Sequence, residues 1–255
     1  MSTGKRVALV TGASTGIGRA EAVALAKSGY DVAINYSRSA GEAKKTAEEC
    51  ERAGAATLLL QGDVADEAAV VAMLQKLKER FGRLDVLCNN AGTSITPLAR
   101  DFEKVSAEDW DRVFAVNVKG VFLVTKHAAP LLRQSDNAHI IMTNSIVGAR
   151  PGPQPLPYST SKGALWTMTK ALAGALGPDG IRVNGVAPGW MEGEWMERML
   201  GDNYSKLMDR RAKQTPLRRC VTADDVAAAV MSLVAGSTGV TGVILTVDGG
   251  FAAVT

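Results

Sequence analysis

Residues 6–10 read R-V-A-L-V, a short apolar run of buried-strand type that passes at once into T-G-A-S-T-G-I-G at 11–18 and then a helical pattern over 20–27. Strand, glycine turn and helix in immediate succession is the opening unit of a parallel α/β sheet. In such a unit Gly12 permits the tight turn. Gly16 and Gly18, with Ser14, Thr15 and Ile17 between and beside them, let a pyrophosphate approach backbone N–H groups at the helix N-terminus. The spacing is G-x-x-x-G-x-G rather than G-x-G-x-x-G. A plain turn also uses glycine, but the position straight after the first strand favours a nucleotide site.

The alternation continues to the end of the chain. Strands are expected at 31–35, 57–60, 84–88, 139–144, 181–187 and 242–247. Helices are expected at 41–52, 67–81, 107–133, from Tyr158 onward, and at 223–234. Alternation of this kind predicts a doubly wound, Rossmann-type parallel sheet of about seven strands with helices on both faces. With 46% hydrophobic residues in 255, one core is affordable, so a single domain over 1–255 is expected, with a substrate-loop insertion at about 189–216. A ligand then belongs beyond the strand carboxyl ends. Residues 11–18, Asp63 with Val64, Asn90, Ala91 and Gly92, Ser145, and Pro188 with Gly189 all fall there. Asp63 would accept from an adenine amino group or cap the helix that follows it.

Within Y-S-T-S-K, Tyr158 and Lys162 stand four apart, which on a helix places them on one face. A free tyrosine titrates near 10, so work near neutrality needs a shift of about three units, or ~4 kcal/mol. One ammonium at ~4 Å in an effective dielectric of about 20 supplies that much, so Lys162 is expected to lower the phenol. The prolines at 151, 153, 155 and 157 forbid a helix earlier and put Tyr158 in the first turn. Ser145 ends the preceding strand. Asn117 interrupts the buried face of the long helical stretch, as a satisfied core amide or as a local break that orients water.

For an NAD-selective ribose site an acid is expected some 20 residues past the glycine loop. Here the region reads N-Y-S-R-S, with no acid between Asp31 and Glu42. Ser37 and Arg38 suit a 2′-phosphate instead, so NADP(H) is expected, with NAD(H) as the alternative. A net charge of +3 with scattered basic residues gives no nucleic-acid stripe. No apolar stretch approaches ~18 residues, so no membrane association is expected. Cys50, Cys88 and Cys220, an odd and widely spaced set, fit a reducing compartment, and a cytoplasmic location is expected. The methionine- and tryptophan-rich segment 190–208, with Trp190, Met191, Trp195, Met196, Met199 and Met208, reads as a substrate lid or as helical core packing.

The glycine loop, Asp63-Val64, N-N-A-G, Asn117, Ser145, Tyr158 with Lys162, Pro188-Gly189 and Asp248-Gly249-Gly250 resemble, in order and over essentially the whole chain, the short-chain dehydrogenase/reductase family. The resemblance implies an NAD(P)(H)-dependent enzyme moving a hydride between nicotinamide and a ketone or secondary alcohol of small or medium size, and a homotetramer. It further implies Tyr158 as general acid/base and Ser145 as the hydrogen-bond partner of the reacting oxygen. Lys162 would lower the tyrosine and bind the nicotinamide ribose, and Asn117 would anchor a water relay. The nearest members in pattern are 3-oxoacyl-carrier-protein reductases and sugar or polyol dehydrogenases. Three positions depart from them: Gly193 replaces a threonine after Pro-Gly, Asp179 replaces a carrier-docking base, and Thr15 replaces a base in the loop. A non-catalytic dinucleotide sensor is the alternative, against which the intact Ser145, Tyr158 and Lys162 set speaks.

Overall fold

A computed structural model describes residues 4–236 and 238–255. Its strands are β1 (Val7–Val10), β2 (Asp31–Tyr36), β3 (Thr57–Gln61), β4 (Val86–Asn89), β5 (His139–Thr143), β6 (Arg182–Pro188) and β7 (Ile244–Val247). Its helices are α1 (Gly16–Lys27), α2 (Ala40–Arg52), α3 (Glu67–Phe81), α4 (Ala107–Phe114), α5 (Val121–Leu132), α6 (Leu156–Leu176), α7 (Glu194–Leu200), α8 (Tyr204–Gln214), α9 (Ala223–Ala235) and α10 (Phe251–Val254). The seven strands form one all-parallel sheet in the order β3-β2-β1-β4-β5-β6-β7. The chain builds outward from β1 to β3, then crosses to β4 and builds the other way. That reversal between β1 and β4 opens a crevice at the carboxyl edge, where a ligand fits between diverging loops.

Central strands are buried on both faces, which is why they read as continuous apolar runs rather than alternating ones. One face closes over Leu25, Ile34, Val86, Ile141 and Val230, beneath α1, α2 and α9. The other closes over Leu9, Leu77, Leu87, Leu132, Ile140 and Leu165, beneath α3, α5 and α6. Among the described residues no helix is long and apolar enough to cross a membrane, and no cluster of side chains is arranged to hold a metal. The three cysteines are buried and free.

The helix expected over 107–133 is not continuous. Its α4 and α5 portions are joined by a wider, π-type turn at Ala115–Gly120. Asn117 sits in that turn with its amide satisfied from the side: Oδ1 accepts from Thr93 N at 2.8 Å, and Nδ2 donates to Thr93 O at 2.9 Å and to Ser161 Oγ at 3.0 Å. Gly120 closes the turn against Val64, where a Cβ would lie 2.8 Å from Val64 Cγ2. Turns of this kind commonly mark functional positions.

His139 and Glu21 are titratable groups inside the sheet layers. His139 is fully buried and pushed down to about 3 by burial, with the nearby Arg182 charge adding to the effect. Glu21, on α1, is buried beside the Thr143 hydroxyl; loss of water pushes its carboxyl up to about 8, and the hydroxyl offsets part of the rise. An acid raised on folding holds its proton in the native state after the unfolded chain has released it. Its contribution is therefore fully present below the ordinary carboxylate range and is lost as pH climbs to about 8. Glu21→Gln is expected to leave stability near wild type at about pH 5 and to raise it by roughly 1–3 kcal/mol above about pH 8. Urea unfolding at both pH values checks this; an equal effect at each would show that Glu21 does not titrate across the interval.

Candidate active site

The glycine loop is held open by the strand that lies beside it across the reversal. Thr11 Oγ1 accepts from Asn90 N and Ala91 N, each at 3.0 Å. The Asn90 amide donates back to Thr11 O at 2.9 Å and Gly12 O at 3.1 Å. Asn35, at the end of β2, locks the other side: its Oδ1 accepts from Gly12 N and its Nδ2 donates to Leu60 O and Gly62 O. Gly12 takes φ 63°, and a Cβ there would fall 2.9 Å from Ala91 Cα. At Gly18 a Cβ would fall 2.4 Å from Asn90 Nδ2 and 2.5 Å from Gly12 O.

The loop also fits a dinucleotide by what it leaves unmade. Helices α3, α4 and α9 have their first N–H groups capped by the side chains of Asp66, Ser106 and Thr222. At α1 the Thr15 side chain makes no such bond, and Gly16, at φ 57°, faces open space. An uncapped helix N-terminus with glycine in front of it is a cradle for phosphate oxygens.

A cleft of about 970 Å³ runs from this cradle across the carboxyl edge. Its wall includes Gly12, Ser14, Thr15, Gly16 and Ile17 from the loop, and Ser37 and Arg38 past β2. Asp63 and Val64 past β3, Asn90, Ala91 and Gly92 past β4, and Pro188 with Gly189 at the end of β6 complete the same wall. Ser145, Tyr158 and Lys162 line it too. Gly18 and Asn117 stand behind the wall, the first as a contact point for Asn90 and the second as a bracket for Thr93 and Ser161. Asp63 does not cap α3 as one reading of the sequence allowed; Asp66 does, while Asp63 Oδ1 accepts from Ala65 N at 2.9 Å in the turn before it.

Tyr158 enters the cleft from the first turn of α6, after Pro155 and with Pro157 inside the turn. Ser161 Oγ donates to Tyr158 O at 2.7 Å and accepts from Asn117, so the π-type turn and the start of α6 are fastened together. Ser145 begins the short turn at Ile146–Gly148, and Trp166 Nε1 donates to its carbonyl at 3.0 Å. Gly148 makes the close approach of that turn to α6 feasible, since a Cβ there would lie 2.6 Å from Lys162 O.

The chemistry of this set has company among known proteins. Residues 12–252 match a family model described as enoyl-(acyl carrier protein) reductase. A 3-oxoacyl-(acyl-carrier-protein) reductase from Staphylococcus aureus is 37% identical over 244 residues, covering 95% of this chain and 96% of that protein. The chain belongs to the short-chain dehydrogenase/reductase family.

Solved structures of family members superpose over nearly the full length. A gluconate 5-dehydrogenase from Burkholderia cenocepacia, in complex with NADP and tartrate, gives a TM-score of 0.89 at 32% identity, covering 100% of this chain and 97% of that one. An NAD+-bound xylitol dehydrogenase gives 0.87 at 30% identity, with 96% and 98% covered. As a short-chain dehydrogenase/reductase, the protein is a nicotinamide-dependent oxidoreductase acting at C=O or CH–OH groups.

One electrostatic expectation is corrected in this member of the family. The Tyr158 phenol does not sit below its ordinary range: burial pushes it up to about 12, with a hydrogen bond to Ser145 acting the other way. Lys162 is itself drawn down to about 8 by burial. Its Nζ donates to Thr143 O at 2.7 Å and lies 5.7 Å from the centre of the tyrosine ring. Four-residue spacing brings the two groups together but says nothing of the water that both lose.

The 190–208 segment divides between its two readings. Met196 and Met208 are buried as packing, whereas Trp195 turns toward the site with its ring 6.4 Å from that of Tyr158. Gly193 takes φ 128° and donates its N–H to Tyr204 Oη at 3.2 Å, a backbone shape that a threonine disfavours. Asp179 pairs with Arg133 Nε at 2.8 Å. Asn35 and Trp166 went unread in the sequence, although Trp166 stands one helical turn beyond Lys162 on the same face.

Proposed function

We propose that this enzyme reduces a small ketone to a secondary alcohol with NADPH, with Tyr158 as the general acid. The observation that carries the reading is the placement of Tyr158, Ser145 and Lys162 on one cleft with the uncapped glycine cradle. A phenol held at about 12 keeps its proton at neutral pH, which is the form a donor must have. NADPH, when bound there, would supply the hydride to the carbonyl carbon. Tyr158 gives its proton to the carbonyl oxygen while Ser145 donates a hydrogen bond to the same atom. Lys162 then balances the phenolate that remains. Asn117, through the turn that it braces, holds the water path by which that proton is restored.

For the cofactor itself, Ser14, Thr15, Gly16, Ile17 and Gly18 would hold the diphosphate. Asp63 and Val64 would meet adenine, Asn90, Ala91 and Gly92 a ribose, and Tyr158 with Lys162 the nicotinamide ribose. Pro188 and Gly189 would back the ring. The preference for NADPH rests on Ser37 and Arg38: Arg38 lines the cleft and its guanidinium forms no ion pair among the described residues. Arg38→Ala is expected to weaken NADPH about tenfold or more, the worth of a charge-assisted hydrogen bond, and NADH by less than about threefold. Fluorescence titration of both reduced cofactors checks this; equal losses would remove Arg38 from the 2′-phosphate. We further assign the protein to the cytoplasm and, from the small exposed face of α6 at Ala171, Gly174 and Ala175, to a homotetramer packed through that helix.

A further inference from the structure

The cleft that contains Tyr158 is also lined by Trp190, Phe251 and Arg211. Arg211, on α8, lies with its guanidinium 4.5 Å from the centre of the Trp190 ring and 5.8 Å from that of Phe251. One nitrogen donates to Gln214 Oε1 at 2.9 Å, while Nε is buried and has no hydrogen-bond partner. No carboxylate among the described residues pairs with it. The acids nearby act elsewhere: Asp225 is bound to Arg219, Glu192 acts on Arg219, and Glu194 acts on Arg19, which is already paired with Glu49. Burial and the adjacent Arg210 both work against the charge on Arg211.

A guanidinium partly withdrawn from water on a cleft wall, with no carboxylate beside it, is costly until an anion meets it. Its platform is rigid. Trp190 O accepts from Val221 N at 3.1 Å, and Asp248 accepts from Gly250 N and Ala252 N on either side of Phe251. The guanidinium is planar by its own resonance, and the two rings hold it in one orientation, a geometry that a carboxylate fits with two parallel bonds.

We propose that the substrate is a keto acid, whose own carboxylate docks on Arg211 while its carbonyl oxygen meets Tyr158. This inference rests on the ketone-reductase reading above and narrows it. The test compares straight-chain keto acids, with one to about four methylenes between the two groups, against their methyl esters. The wild type is expected to favour the best acid over its ester by about tenfold or more in kcat/KM. Arg211→Met should bring that ratio to about one, and Arg211→Lys, which keeps the charge and loses the fork, should retain part of it.

Trp190 lies against the guanidinium, so tryptophan emission during titration with 4-oxopentanoate gives a second readout that needs no turnover. Saturable quenching in the wild type that Arg211→Met abolishes supports the site. Esters reduced as well as acids, with no quenching, overturn the keto-acid inference and leave the reductase reading intact. Quenching with no reduction of any ketone overturns the reductase reading alone and upholds the anion site. A preference for dihydroxyacetone phosphate over dihydroxyacetone that depends on Arg211, without any preference for acids, would assign the site to a phosphoester and overturn the carboxylate.

Discussion

Tyr158→Phe is expected to lower turnover by about 10³-fold or more and to leave the dissociation constant for NADPH within about threefold of wild type; a positioned general acid contributes roughly 10²–10⁴. The substitution removes one oxygen and keeps the ring that rests near Trp195 and beneath the Lys162 ammonium. Packing of the first turn of α6 therefore survives, and Ser161 still reaches the main chain of residue 158. Steady-state rates with a reducible ketone and a parallel NADPH titration separate the two effects. A variant that keeps more than about a tenth of the rate would show that another group delivers the proton.

Gly12→Val is expected to be the most damaging single change on the nucleotide side. A branched side chain at φ 63° costs roughly 1–2 kcal/mol in backbone strain alone. The new Cβ also arrives 2.9 Å from Ala91 Cα, inside the clamp that Thr11 and Asn90 make across the reversal. Overpacking of a well-fitted site adds roughly 1–3 kcal/mol. The total, about 2–5 kcal/mol, is a large part of what a domain has in hand. Urea unfolding and NADPH titration should both register it, since the same movement tilts the uncapped end of α1 away from the cleft. A variant within about 1 kcal/mol of wild type that binds NADPH normally would show that the loop tolerates the displacement.

What the sequence reveals of this molecule follows what water does to a chain. Strands such as V-A-L-V and H-I-I-M-T announce themselves because both faces are dry, and the glycine loop because its spacing is bound to a backbone shape. The π-type turn at Ala115–Gly120 is hidden, because its cause is a set of hydrogen bonds from Asn117 to Thr93 and Ser161, far away in sequence. Asn35 is hidden for the same reason: it works as a hub only once β2 lies between β1 and β3. The effect of burial on Tyr158 and Lys162 is hidden too, because a pairwise charge can be counted from spacing, whereas desolvation belongs to the finished interior. Arg211 sits in a run with Arg210, Lys213, Arg218 and Arg219, and only the folded chain sorts the one stacked guanidinium from its solvated neighbours.

The strand order also fixes a sequence of events at the ribosome. The ladder β3-β2-β1-β4, with its glycine loop and Asn90 clamp, is complete in synthesised length before Ser145 or Tyr158 has been translated. Yet α9, which packs on α1, emerges only after β6. A nascent chain that has already built its glycine loop must therefore carry the outer flank of its first helix wet until residue 235 leaves the exit tunnel, and premature termination before that point strands apolar surface for chaperones to cover.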